Sequence, residues 1–317
     1  MSEELKLSIF KTLAYFDLLN FPLTKEELFR YLWMPRLSGG QAPLGYVDFT
    51  SALASTSLPG TNQKYGYYFL SGREEIVETR RRMVAPSELK LTKARLAAKF
   101  IRAVPFLRAI FVCNSVGAEM ARNESDIDFF IVADKNRIWL VRFFTNFILR
   151  LFGLRTYGQH EKDRVCLSFY VDVAHLDLAP WRVADDDIHF AYWLQQMLPI
   201  YDPENYYQKF LAANSWTKRF LPNMRITLGS SSKEVVGDGR LGRLWKRAWE
   251  TMWRGAYGDL LERQAKDFQW LKLKPSVKEK SKLNDNGVVI KEGIIKLHEH
   301  DARRGYREKW LQRISNI

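Results

Sequence analysis

Cysteine is scarce in this chain: among 317 residues there are two, Cys113 and Cys166. Two thiols cannot build a disulfide framework, and both lie inside apolar runs, which predicts buried thiols in a reducing compartment. A long uninterrupted apolar run is also missing. The strongest, "IWLVRFFTNFILRLFGL" at 138–154, is broken by Arg142, Asn146 and Arg150. Their spacing of four places them on one helical face, so the segment reads as an amphipathic helix packed on a sheet and not as a membrane span. Nor is there a positively charged leader, because "MSEELKLSIFKTLAYF" opens with acids and carries its apolar residues at helical spacing. Together these absences predict a cytoplasmic protein with no membrane partner. No internal repeat is present, and the one Ser/Gly-rich break, "GSSSKEVVGDG" at 229–239, predicts a mobile loop.

Positive charge, by contrast, is abundant. Lys plus Arg number 49 against 36 acids, a formal +13, and residues 231–317 hold 20 bases and 12 acids. A basic tail favours a polyanion such as nucleic acid, nucleotide phosphates or an anionic membrane surface, but charge alone selects none of them.

Residues 1–86 predict three helices and a hairpin. Ile9, Leu13, Phe16 and Leu19 recur at helical spacing until Pro22; Thr24 with Glu27 forms a capping box for a second helix; a third is expected near 46–55. "QKYGYYFLSGREEIV" then reads as a β-hairpin with its turn near Ser71 and Gly72. The economical assembly is a winged-helix domain, which docks on protein as well as on DNA. Its third helix, "YVDFTSALAST", has no Lys or Arg to meet phosphates, which argues against major-groove reading.

Residues 87–178 open with a charged helix and then alternate: "LRAIFVCN" as strand, "SVGAEMAR" as short helix, "DIDFFIVA" as strand, 137–152 as helix, "RVCLSFYVDV" as strand. This predicts an α+β or mixed α/β fold, a mixed sheet covered by helices. Residues 179–317 read as a helical, basic C-terminal region, with one long helix near 240–270 and a terminal helix from "LHEHDARRGYREKWLQRI".

The chemistry is concentrated at the second of those strands. Residues two apart on a strand share a face, so Asp126 and Asp128 project together at the strand's start. Converging carboxylates suit a hard divalent cation: Mg²⁺ first, with Mn²⁺ as the alternative. Upstream, Asn114 and Ser115 stand at a strand-to-helix junction whose free N–H groups suit a phosphate, and Gly117 allows close backbone approach. The bland reading of Asp126 and Asp128 is a pair of loop-end acids that cap backbone or pair with Arg122.

With "NS" at 114–115, a short helix and "SDIDFFIVA" at 125–133, residues 105–175 resemble the nucleotidyltransferase superfamily that includes DNA polymerase β, the minimal nucleotidyltransferases and the aminoglycoside-modifying enzymes. The family's Gly-Ser pair is Asn-Ser here. The resemblance implies a nucleoside triphosphate as substrate, metal ions on Asp126 and Asp128, and transfer of a nucleoside monophosphate to a hydroxyl of a nucleic acid, protein or small-molecule acceptor, with release of pyrophosphate. It also implies a third carboxylate on a neighbouring strand, for which Asp172 is the candidate. If Ser168 sits beside the metals instead, the general base is absent and the domain is catalytically silent, leaving a winged-helix nucleic-acid-binding or regulatory protein.

Two further features have competing readings. Leu241, Leu244, Trp245, Ala248, Trp249, Met252, Trp253 and Leu260 at helical spacing, interleaved with Arg243, Lys246, Arg247 and Arg254, read first as a core stripe with a solvated basic side; stacking on unpaired nucleotides is the alternative. His298, His300 and Asp301 tempt a metal reading, but histidines two apart on a helix do not share a face, so they read as surface residues or as supports for other ligands.

Overall fold

The computed structural model describes residues 1–35, 44–56, 58–158, 160–224, 235–283, 287–298 and 301–315. At the N-terminus, α1 (Glu3–Leu18) is capped by the Ser2 hydroxyl, and α2 (Lys25–Arg30) by the reciprocal Thr24–Glu27 capping box. After α3 (Tyr46–Ser55), strands β2 (Thr61–Lys64) and β3 (Tyr67–Leu70) pair with the short β1 (Leu23–Thr24) in an antiparallel sheet of order β1-β3-β2. The hairpin turns at Tyr65 and Gly66, not at Ser71 and Gly72. Both turn residues are left-handed, with φ of 51° and 81°, as a two-residue hairpin loop with the twist of its strands requires.

The helix α4 (Glu75–Ile101) runs unbroken through the expected boundary at 86–87, with Pro86 inside it. Met83, Ser87, Lys90, Ala94, Ala97 and Ile101 keep helical spacing along its buried side, and that packing carries the helix past the proline. Thereafter come β4 (Leu107–Cys113), the single turn α5 (Asn114–Gly117), β5 (Ile127–Ala133), α6 (Ile138–Leu151), β6 (Val165–Asp172), α7 (Ile188–Gln195), β7 (Leu198–Tyr201) and α8 (Tyr206–Ala213). The chain ends with α9 (Arg240–Met252), α10 (Ala256–Lys272), α11 (Pro275–Lys282), β8 (Val288–Lys291), β9 (Ile294–Leu297) and α12 (Arg303–Ser315).

Among the described residues the main sheet has six strands in the order β7-β4-β5-β6-β9-β8, with β5 and β6 parallel and the other pairs antiparallel. The C-terminal region, expected to be helical, also supplies strands β7, β8 and β9 and with them both edges of the sheet. Its strands are four residues each, too short to display a period of two against a helical background. The expected long helix near 240–270 is two, parted at Gly255, whose φ is 74°. Of the loop expected at 229–239, residues 229–234 lie outside the described residues, and Val236 is buried, donating its N–H to the Ile200 carbonyl at 2.7 Å.

Strand alternation divides the core into two layers. Ile127, Phe129 and Ile131 of β5 pack on one face with Val141 of α6 and Ala265 of α10; Phe130 and Val132 pack on the other with Leu194 of α7 and Phe210 of α8. A third cluster joins α1, α2 and α3 to Tyr192 of α7 and Trp310 of α12. Tyr15 stacks on Tyr192 with ring centroids 4.5 Å apart, so the N-terminal helices share their core with C-terminal elements. No helix among the described residues is long and apolar enough to cross a membrane.

Candidate functional site

Asp128 is the second residue of β5, flanked by Cys113 on β4 and by Cys166 on β6. It belongs to the face that carries Phe130, and Asp126, just ahead of the strand, projects the same way. One oxygen from each carboxylate and the Cys166 sulfur lie within 4.8 Å of one another. The two acids expected to converge therefore do so.

Burial is severe at this point. Asp128 is 7 % exposed, and desolvation, with Asp126 close by, pushes its carboxyl up to about 7. Asp126 is raised for the same reason, with repulsion from Glu161 adding to it. No salt bridge to either acid occurs among the described residues. Arg122, the alternative partner, instead lines a neighbouring cavity, and Arg155 acts on both acids from a position where its guanidinium bonds Asn146, Thr156 and the Val165 carbonyl.

A cation is the species such a pair lacks. Carboxylate oxygens suit Mg²⁺ or Mn²⁺, and burial lifts the Cys166 thiol to about 12 in the metal-free cluster. Asp126, Asp128 and Cys166 thus offer a metal ion three ligand atoms.

Asp172 is not part of this cluster. It ends β6, six residues beyond Cys166 and so roughly 20 Å along the strand. A bulge in β6 between Cys166 and Phe169 also shifts the alternation, so that Asp172 shares parity with Tyr170, which packs in the opposite layer. There it is fully buried and accepts from the backbone N–H of Ala174 at 2.9 Å and of Asn136 at 3.4 Å, and bonds His175 Nδ1 at 2.7 Å. The face expected to carry Cys166, Ser168, Tyr170 and Asp172 together is split by this extra residue.

The bulge brings Ser168 into a chain of contacts instead. Cys166 lies beside both aspartates and Ser168, where its one S–H can donate to a single acceptor at a time, and Ser168 Oγ lies 2.9 Å from His298 Nε2. His298 follows β9 and is not on a helix; His300 lies outside the described residues. Burial holds the His298 imidazole down to about 4, so it is neutral near pH 7. The Ile-Ile-Lys-Leu run after Gly293 was the available signal that this histidine ends a strand.

Asn114 stands beside Asp128, at the start of α5 with Ser115 next to it. Asn114 has a φ of 54°; its Oδ1 accepts from Trp193 Nε1 at 2.6 Å and its amide bonds Asp128. Gly117 allows a close approach of another kind. A Cβ there would meet the Val112 carbonyl oxygen at 2.6 Å, so glycine is needed for α5 to lie against β4.

A cavity of about 430 Å³ opens next to this cluster, bounded by Tyr15, Ser115, Trp193, His298, Arg122 and Tyr306 among others. His189 in its wall is stacked on Tyr306 at 4.4 Å and bonded to the Tyr15 hydroxyl at 3.0 Å. The chain matches no protein-family model, no curated protein and no solved structure. Function therefore rests on the geometry of the cluster and its cavity.

Proposed function

We propose that the protein is a divalent-cation-dependent nucleotidyltransferase that moves a nucleoside monophosphate from a triphosphate to a hydroxyl acceptor. The observation that carries the reading is the convergence of Asp126 and Asp128, both desolvated and without a salt-bridge partner among the described residues, beside a 430 Å³ cavity. Bound there, Mg²⁺ or Mn²⁺ would neutralise phosphate charge and polarise the bond to phosphorus. The chain's own part is to hold and align. Asp126 and Asp128 hold the cation, Asn114 fixes the Asp128 carboxylate, and the aromatic wall of Trp193, Phe169 and Tyr306 offers ring faces to a nucleobase. Asp172 has no role in this scheme. The neutral His298 imidazole, linked through Ser168 and Cys166 to the aspartates and facing the cavity, is the group placed to accept the acceptor's proton. In the same reading, the three N-terminal helices and their small sheet are a winged-helix unit used for docking, since α3 has no Lys or Arg.

The test is incubation of the full-length protein with each labelled nucleoside triphosphate, Mg²⁺ or Mn²⁺ and a cell extract. Label enters one fraction with release of pyrophosphate, and Asp126→Asn abolishes it. The absence of Asp172 from the acid cluster favours one second reading, a domain that binds metal and nucleotide without turnover. Metal-dependent nucleotide binding that is lost in Asp126→Asn, with no label transferred by any nucleotide, would establish that reading over the first.

A further inference from the structure

The helix α9 turns Lys246 and Glu250 inward and its apolar stripe outward. Of its residues, Lys246 and Glu250 are each 6 % exposed, whereas Leu241 is 83 %, Leu244 62 % and Trp245 55 % exposed. The expectation of a core stripe is thereby overturned for Leu241, Leu244, Trp245 and Met252, while Arg243 and Arg247 are solvated as expected. The inward side is anchored by specific bonds: Lys246 Nζ donates to the Leu107 carbonyl and to Tyr201 Oη, and Glu250 accepts from the Phe106 N–H at 2.7 Å and from Arg108 at 2.9 Å. Those bonds set the rotation of the helix, so the apolar stripe of Leu241, Leu244, Trp245 and Met252 is held outward.

The stripe continues across the surface. Ring centroids step from Trp245 to Trp249 (5.3 Å), Trp253 (4.8 Å), Phe144 (5.6 Å) and Phe143 (5.2 Å), and from Phe143 to the exposed Phe147 and Phe268. Along one border of the α9 stripe lie Arg240, Arg243 and Arg247, all exposed, at helical spacing.

We propose, in place of the expectation of no membrane partner, that this face is a docking surface for an anionic lipid bilayer, with α9 lying in the interface plane. A helix with Trp and Leu on one side and arginines along its border matches the amphipathic pattern that inserts shallowly and adds electrostatic attraction to acidic headgroups. The charge arrangement disfavours a second copy of the chain. The only acid in α9 is Glu250, which is buried, so pairing α9 with itself sets arginine against arginine. The side-chain chemistry disfavours nucleic acid, because Leu241, Leu244 and Met252, three of the four most exposed apolar residues of α9, have no ring to stack on a base, and Trp249 and Trp253 are half-buried. The inference is independent of the metal centre and of any turnover there.

The experiment is flotation of the full-length protein with vesicles of phosphatidylcholine alone or mixed with phosphatidylglycerol, at low and high salt. Binding is expected to the mixed vesicles, at least tenfold weaker on phosphatidylcholine alone and weakened by salt. The double variant Leu244→Glu/Trp245→Glu is expected to lose at least tenfold in binding while keeping the wild-type melting temperature, since both side chains are exposed. The double variant Arg240→Glu/Arg247→Glu, with the apolar stripe intact, is expected to lose the phosphatidylglycerol dependence. Absence of binding to mixed vesicles overturns the proposal. So does an α9-dependent shift to dimer, or α9-dependent binding of a single-stranded oligonucleotide, in the absence of vesicle binding.

Discussion

Asp128 and Cys166 stand opposite each other on the parallel strands β5 and β6, so the residue aligned with the second aspartate is a thiol and not an acid. Cys166→Asp would place a third carboxylate against two that are already desolvated. Without a cation the variant should be less stable than wild type by roughly 1–3 kcal/mol, the usual cost of a buried polar group left unpaired. Mn²⁺ should recover that loss and bind the variant at least tenfold more tightly. Thermal melts with and without Mn²⁺, together with calorimetric titration, measure both effects. Equal metal affinity in the two proteins would mean that Cys166 does not border the ion.

The same burial predicts an unusual pH profile. Asp128 titrates at about 7 in the fold, against an ordinary 3.8, so between those values the folded chain holds a proton that the unfolded chain has lost. Stability contributed there falls as pH rises. His189 and His298 act in the opposite sense: both titrate at about 4 in the fold against an ordinary 6.5, so stability is lost as pH falls through that window. The opposing slopes offset each other in the wild type. Asp128→Asn leaves the histidines alone, and its stability should climb from pH 4 to 6.5 more steeply than wild type, by on the order of 1 kcal/mol per pH unit. Urea unfolding at half-unit steps reads the difference.

Asp172 is predicted to matter for stability and not for the metal. It accepts two backbone N–H groups and bonds His175 where β6 ends, buried at 1 % exposure. Asp172→Ala strands those groups and should cost roughly 2–4 kcal/mol, leaving Mn²⁺ affinity within twofold of wild type. A collapse of metal binding in a variant that still folds would return Asp172 to the site.

The convergence of Asp126 and Asp128 was legible because a period of two is a local property of one strand. The failure of Asp172 was not, because it depends on a bulge at Leu167 and Ser168 that leaves no mark in the apolar pattern. The N-terminal helices were legible from Thr24, Glu27 and Pro22, which act on their own backbone. The C-terminal strands were not, since β8 and β9 form a short hairpin of four-residue strands that reaches the sheet only through β6, and β7 only through β4, each about 90 residues away or more. The orientation of α9 escaped for another reason. Its amphipathic pattern was plain, but which side faces inward depends on distant groups: Arg108 and the Phe106 N–H, from which Glu250 accepts, and the Leu107 carbonyl, to which Lys246 donates.

Glu250 is the residue whose loss should be felt most in that region. Its carboxylate sits against the buried Arg108 guanidinium and the Phe106 N–H, and Arg108 also reaches Asp134 on the far side. Glu250→Ala leaves a buried cation with one partner fewer and an N–H with none from this side chain, and should destabilise by roughly 3–5 kcal/mol. Glu250→Gln keeps two acceptor lone pairs and the side-chain volume while removing the charge, so it should cost less. Paired denaturant melts of the two variants distinguish an electrostatic anchor from simple packing. If alanine and glutamine are equally damaging, the charge is what holds α9; if both are mild, other contacts hold the helix and its apolar side is not held outward by this bond.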